Sequence, residues 1–335
     1  MSKQPLILVR PYTPTDMAIL EQTYDVHRLW EAPDKVSFLR TFGSGVRVLA
    51  TDGEYGADAA TMDLLPDLEL IASFGVGLDA IDLAHARHRN IRVTHTPDVL
   101  TEDVADMAFG LLLACARRIP QCDSYVRQGR WPEGGPGLTT RVWGKRVGIL
   151  GLGRVGRAVA TRAEAFKLEV AYHDRCRFDD VHYRYFDDVV ALAAEVDFFV
   201  ICASADTDTR GLIGKPVLDA LGHDGMLVNV GRGAIVDEPV LLTYLRERLI
   251  AGAALDVFHN EPDIAQEFSE LDNVILQPHQ ASATRETRAA MGALVRDNLS
   301  AYFAGRPLLT EFPGPTIGRR APTRATETPL GTCAQ

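Results

Sequence analysis

At 335 residues the chain exceeds what a single hydrophobic core usually organises, so two domains are expected. A hydrophobic fraction of 46% beside 24% charged residues describes a water-soluble globular protein rather than a disordered or membrane-spanning one. The formal net charge of −10, with no basic stripe to offset it, argues against a surface for nucleic acid or anionic membrane.

The five cysteines (Cys115, Cys122, Cys176, Cys202, Cys333) form no CxxC pair, and their odd number fits no closed disulfide framework, so a reducing cytoplasm is the expected setting. No signal peptide is expected ahead of the strand-like Leu6 to Val9, and the longest apolar run, near Ala108 to Ala116, is too short for a bilayer. His85, His88 and His95 lack a third ligand at metal spacing, so no metal is expected.

Along the chain, strand-like runs at Leu6 to Val9, Val46 to Ala50, Leu70 to Ser73 and Ile91 to Thr94 alternate with helical stretches at Thr15 to Gln22 and Asp79 to Arg89. Thr101 to Arg118 reads as one long helix with the apolar face Val104, Ala108, Leu111, Leu112 and Cys115, followed by a Gly- and Pro-rich loop around Trp131 to Gly137. Strands then resume at Val147 to Leu150, Glu169 to Tyr172, Phe198 to Ile201, Leu227 to Val230, Ala253 to Leu255 and Val274 to Leu276, a second doubly wound sheet. The amphipathic stretch Thr284 to Phe303 is expected to return to the first domain, and the tail from Pro313 to be a flexible end.

The most specific local signal is GLGRVG, Gly151 to Gly156, between an apolar strand and a helical pattern. Gly151 permits a tight turn, Gly153 lets the backbone approach a pyrophosphate, Gly156 lets the helix pack on its strand, and free N–H groups at the helix start suit an anion. Asp174, at the end of the next strand, is the acidic residue such a site uses for the ribose hydroxyls of NAD, while Arg175 and Arg177 directly after it leave NADP open.

Three charged residues follow successive strands of the second sheet: Arg232 in VNVGRG, Glu261 in LDVFHNEP and His279 in NVILQPH. Hydride arriving at a carbonyl carbon leaves an alkoxide that needs a proton donor near neutrality, which suits His279. A carboxylate beside the imidazole favours its charged form and fixes its tautomer, the role open to Glu261, and Arg232 offers a planar fork to a substrate carboxylate.

ASFGVGLDAID, TPDVLTEDVADMAFGLLLA, GKRVGILGLGRVG, VNVGRGAIVDEP, AALDVFHNEP and NVILQPHQASATRETR together resemble the D-isomer-specific 2-hydroxyacid dehydrogenases, especially their glyoxylate/hydroxypyruvate and hydroxyphenylpyruvate reductase branch, over about Val46 to Leu309. The resemblance implies two doubly wound α/β domains, with a Rossmann domain (100–283, including a dimerisation arm near 101–143) inserted into a smaller flavodoxin-like substrate domain (1–99 plus 284–312), and a tail at 313–335. It implies Arg232, Glu261 and His279 as the catalytic set, and Val76, Gly77 and Arg232 as substrate-binding. For the cofactor it implies Thr101, Gly151, Gly153, Arg154, Val155, Gly156, Asp174, Arg175, Cys202, Val230, Asp256 and His279, with Asp256 accepting from the nicotinamide carboxamide. The implied protein is a cytoplasmic homodimer acting on a small 2-oxo acid with NAD(H) favoured and NADP(H) possible.

Asp52 to Gly56 and the loop Trp131 to Leu138 are expected to help set the substrate. Departures from the family pattern are Ala203, Ser204 and Ala205 after Cys202, Ala281 after the histidine, and Trp143 at a position usually aliphatic. The competing reading is an NAD(H)-sensing binding protein of the C-terminal-binding corepressor type.

Overall fold

The computed structural model describes residues 3–313, and the chain divides into two compact units. One comprises residues up to Leu100 together with those from Ala283 on; the other has Thr101–Ser282 as its main body. Most of the tail expected from Pro313 lies outside the described residues.

The first unit is built on β1 (Pro5–Leu8), β2 (Asp25–Arg28), β3 (Val48–Asp52), β4 (Leu70–Phe74) and β5 (Arg92–Thr94). They form one parallel sheet in the order β2-β1-β3-β4-β5. This is the flavodoxin-like doubly wound order, with its reversal between β1 and β3. Alternate residues supply opposite faces: Ile7, Leu49 and Ile71 enter one core, while Leu6, Leu8, Val48, Ala50, Leu70 and Ala72 enter another. Burial on both faces is why these strands read as continuous apolar runs rather than as alternation.

The second face is covered by the helix Arg285–Phe303, which buries Met291, Val295, Leu299 and Tyr302. Thr284 caps it by accepting from the Thr287 N–H. Asp16, 2% exposed, forms an ion pair with Arg296 of this helix.

Two elements of this unit gave no clear sequence signal. β2 (DVHR) is an edge strand without an apolar run, and the helix Lys35–Phe42 is short, although Asp34 caps it through the Val36 and Ser37 N–H groups. The helix expected over Asp79 to Arg89 spans only Leu83–His88, because Asp82 starts it by accepting from the His85 N–H.

The second unit holds β6 (Arg146–Leu150), β7 (Glu169–His173), β8 (Arg184–Phe186), β9 (Phe198–Ile201), β10 (Met226–Asn229), β11 (Gly252–Leu255) and β12 (Val274–Leu276). All are parallel, in the order β12-β11-β10-β9-β6-β7-β8. Counted from β6 this is the Rossmann order with one strand added, and the strand order reverses between β6 and β9.

The single helix expected over Thr101 to Arg118 is two. Thr101–Ala116 buries the expected face of Val104, Ala108, Leu111, Leu112 and Cys115. Arg118 then turns left-handed at φ 49°, and Ile119–Arg127 begins with Pro120 in its first turn. Pro120 lacks an N–H to continue the first helix but is tolerated in the first turn of the second, where that N–H needs no partner, so the break falls just before it. The second helix buries no residue within the chain.

Candidate active site

The glycine turn follows β6 and lies beside the end of β9. Gly151 has φ 88°, and a Cβ there would stand 2.8 Å from the Cα of Ala203. Only glycine permits both the conformation and the approach. A Cβ on Gly156 would strike the Gly151 carbonyl oxygen, so the helix Arg154–Ala165 packs onto its strand only without one. Gly153 is the N-cap residue, with no side-chain cap, and nothing lies within 4 Å of where its Cβ would be. Uncapped N–H groups beside open space at a switch point fit a dinucleotide pyrophosphate.

Asp174, half-buried at the end of β7, accepts from the Leu152 N–H at 2.8 Å and the Arg175 N–H at 2.7 Å, one oxygen each. Each oxygen keeps a second lone pair for a hydroxyl donor. The Arg175 side chain is 80% exposed and 3.9 Å from Asp206 in the loop after β9. Burial pushes the Cys202 thiol up to about 12, so it remains protonated and lines the turn as an apolar group. Thr101 opens the helix Thr101–Ala116, and Val230 follows β10 directly.

Arg232, Glu261 and His279 follow the neighbouring strands β10, β11 and β12, at the ends where such sheets bind ligands. Nδ1 of His279 lies 2.6 Å from Oε2 of Glu261, and Oε1 of that carboxylate accepts from the Phe258 N–H at 2.8 Å. Burial pushes the Glu261 carboxyl up, but the His279 ring, the Phe258 N–H and the nearby Arg232 charge outweigh it, and its pKa falls below the ordinary value. His279 is about half exposed, at 49% of its side chain, against 24% for Glu261.

Two buried side chains position this set. Asn229, 1% exposed at the end of β10, accepts from the Gly231 N–H and donates to the Arg232 carbonyl, each at 3.0 Å, fixing the turn that carries Arg232.

The second is Asp256. It is wholly buried, and its carboxylate accepts from the Gln280 N–H at 2.7 Å and the Ala281 N–H at 3.0 Å, while its carbonyl takes the His279 N–H at 2.8 Å. It therefore braces the histidine loop, and each oxygen keeps a second lone pair. Burial raises the Asp256 pKa despite those two N–H bonds. The brace holds His279 at φ 54°, a left-handed conformation that a non-glycine residue adopts only when its surroundings impose it.

In the other unit, Val76 and Gly77 follow β4 in a glycine-rich turn. Among the described residues neither N–H meets an acceptor, which leaves two amide donors for an anion. Trp143 is exposed, with the Arg141 guanidinium 4.4 Å above its ring.

Sequence reasoning missed Asn229, the bracing role of Asp256 and the Phe258 N–H. The first two are polar residues at strand ends, where the sequence offers only the adjacent VGRG and the histidine loop as signals. The third is backbone and leaves no side-chain signature.

Residues 109–281 match the family described as D-isomer specific 2-hydroxyacid dehydrogenase, NAD binding domain. The chain is 48% identical to glyoxylate/hydroxypyruvate reductase A of Arabidopsis thaliana, over 87% of this chain and 93% of that one. The chain belongs to the D-isomer-specific 2-hydroxyacid dehydrogenase family. A further relative in it, the 2-ketogluconate reductase of Gluconobacter oxydans, is 42% identical over 92% of this chain and 98% of its own length. Among solved structures, the NADPH-dependent glyoxylate/hydroxypyruvate reductase of Sinorhizobium meliloti in complex with NADP and malonate superposes with a TM-score of 0.85 at 38% identity, covering 96% of this chain and 100% of that one. The glycine turn, the parallel sheet and the His279–Glu261 pair are thus found in a chain whose relatives are named as reductases of 2-oxo acids.

Proposed function

We infer that this family member reduces 2-oxo acids such as glyoxylate, hydroxypyruvate or hydroxyphenylpyruvate to the D-2-hydroxy acid with NADH or NADPH. The observation that carries this reading is the His279–Glu261 pair at 2.6 Å, at the same edge of the sheet as the uncapped glycine turn. A reduced dinucleotide with its pyrophosphate at that turn would supply the hydride to the carbonyl carbon. His279 donates the Nε2 proton to the carbonyl oxygen as charge develops there. Glu261 holds Nδ1 and balances the imidazolium. Arg232 offers its planar fork to the substrate carboxylate and polarises the carbonyl, and the Val76 and Gly77 amides of the first unit are donors suited to a carboxylate.

The unit Thr101–Ser282 takes the cofactor in this reading, and the unit built on β1–β5 takes the substrate. Asp174 favours NADH, because a 2′-phosphate would meet its charge, with Arg175 able to offset it for NADPH.

A second copy of the chain is the natural cover for the segment from Ile119 to Trp143, where Ile119, Val126, Trp131, Leu138 and Trp143 are all exposed and Leu138 is fully so. No helix among the described residues is long and apolar enough to cross a membrane. The corepressor-type reading is not favoured, since the relatives reported above are named as metabolic reductases.

The test is reduced-nicotinamide absorbance with a 2-oxo acid panel, coupled to chiral analysis of the product. Consumption of cofactor with a D-product is expected. No turnover of any 2-oxo acid with either cofactor overturns the reading.

A further inference from the structure

β10, β11 and β12 carry Arg232, Glu261 and His279 past their carboxyl ends, and the amino ends of the same strands border a cavity of about 180 Å³ with no part in the chemistry above. Met226 begins β10, Ala251 precedes β11 and Asn273 precedes β12. Cys115, Ala116, Met226, Ala251 and Ile275 give the cavity apolar walls, and burial pushes the Cys115 thiol up to about 12, so that group is uncharged. Asn273 also lines it, together with Gln121 of the helix Ile119–Arg127. The side-chain oxygens of these two amides are buried and meet no hydrogen-bond partner among the described residues. Their nitrogens are committed: Nε2 of Gln121 donates to the Asp272 carbonyl at 2.8 Å and Nδ2 of Asn273 to the Leu245 carbonyl at 3.1 Å. Flipping either amide would set oxygen against oxygen. Arg118, Arg248 and Asp272 complete the lining and are each about half exposed, which places them at the mouth. Both arginines lean on that one carboxylate, Arg248 by a hydrogen bond and Arg118 at 3.7 Å, so one positive charge is left over.

We propose that this cavity binds a small α-amino acid, with the ammonium on the Gln121 and Asn273 oxygens and the carboxylate on Arg118 and Arg248. Buried acceptors without a partner call for a donor, and an ammonium brings three N–H groups and no acceptor. A metal ion or a simple amine would set a second uncompensated positive charge beside the arginines. A simple anion would pair with the arginines and leave both oxygens unserved. Water would serve the oxygens and leave the arginine charge unmatched. A zwitterion meets both ends and is neutral overall. The volume is about six times the ~30 Å³ share of one water molecule, room for glycine or alanine but not for a large aromatic side chain. Held in this way, the ligand joins the helix Ile119–Arg127 to the entry of β12 and stabilises the folded chain by mass action. The inference is independent of the 2-oxo acid reading, whose residues follow the opposite ends of these strands.

The probes are glycine and L-alanine, titrated calorimetrically into the full chain in the oligomeric state it adopts. Methylamine and acetate carry one end of the ligand each, potassium chloride supplies a bare cation, and L-phenylalanine tests the size. Saturable binding of glycine or alanine is expected, with a rise in the thermal unfolding midpoint, and each of the other probes should bind at least tenfold more weakly. Gln121→Met keeps the length and removes the oxygen, and Arg248→Met removes a charge at the mouth; each should weaken amino-acid binding at least tenfold. Gln121→Met also loses the bond to the Asp272 carbonyl and is at risk of loosening its helix. Arg248 is half exposed, so Arg248→Met keeps the test available.

No saturable binding of either amino acid, methylamine or potassium binding as tightly as glycine, phenylalanine matching glycine, or an affinity unchanged in Arg248→Met would each overturn the proposal. None of these outcomes bears on turnover of 2-oxo acids, which is measured separately.

Discussion

Glu261 holds His279 with one oxygen, Oε2 on Nδ1 at 2.6 Å, and is itself held by the other, Oε1 on the Phe258 N–H at 2.8 Å. The imidazole orientation is therefore set by a carboxylate that cannot rotate without losing a backbone bond, which leaves Nε2 for the proposed proton transfer.

The His279→Ala variant should lose turnover by roughly 10² to 10⁴, the range for a positioned general acid, while binding reduced cofactor almost as well as the wild type. Stopped-flow reduction rates beside cofactor titration by fluorescence separate the two effects. Equal losses in binding and turnover would take the proton donor's role from His279.

The Glu261→Gln variant keeps the shape and removes the charge. The amide cannot balance charge that forms on the ring, so turnover at neutrality should fall, and the acid-side decline of kcat/KM that follows protonation of Glu261 should be absent from the variant. In the wild type the Glu261 carboxyl sits below its ordinary 4.5, so it is ionised through neutrality and the pair is lost only as pH falls from about 4.5 through that lower value. A pH–rate profile identical in the two proteins would exclude Glu261 from this role.

Asp256→Ala leaves the part-buried Gln280 N–H and the buried Ala281 N–H without acceptors. Each unsatisfied group costs about 1–3 kcal/mol, so a clear drop in the denaturation midpoint is expected, together with reduced turnover as the His279 loop loosens. Chemical denaturation measures the first and steady-state kinetics the second. Stability at the wild-type level would mean that the brace is dispensable.

On the proposed role of Arg232, Arg232→Ala removes a charge-assisted pair to the substrate worth about 1.5–3 kcal/mol, so KM should rise and turnover fall. Arg232→Lys should recover little, because an ammonium is a point charge and cannot reproduce a planar fork. Wild-type kinetics in the lysine variant would rule out bidentate recognition.

Cofactor choice turns on β7's end. Asp174→Ser should raise the NADPH-to-NADH ratio of kcat/KM, and Arg175→Ala should lower it. The Arg175 side chain is 80% exposed and free to swing from its 3.9 Å approach to Asp206. A wild type strongly selective for NADPH would show that the arginine outweighs Asp174.

Both sheets were legible in the sequence because their strands are buried on both faces and so appear as unbroken apolar runs such as LLVN-like MLVN and FFVI. What escaped were β2 and β8, short edge strands whose pairing on one side alone requires no apolar run. The glycine turn was readable because each glycine answers a local steric demand. The bracing bonds of Asp256 were not, because its carboxylate accepts from two N–H groups more than 20 residues further along the chain, a relation that exists only once β11 and β12 lie side by side. The early break before Ile119 was encoded by Pro120 and passed over because the apolar periodicity of the preceding turns is strong.

The helix Arg285–Phe303 closes a core that begins at Leu6 and Leu8, so the unit that starts the chain needs residues made nearly three hundred positions later. The body from Thr101 to Ser282, by contrast, is continuous in sequence. On a ribosome the inserted body can therefore finish folding while the first hundred residues still expose Leu6, Leu8, Val48 and Leu70 and await their last helix. The interval makes the amino-terminal segment, with its long-range parallel pairings, the part of the molecule most dependent on chaperone protection during synthesis.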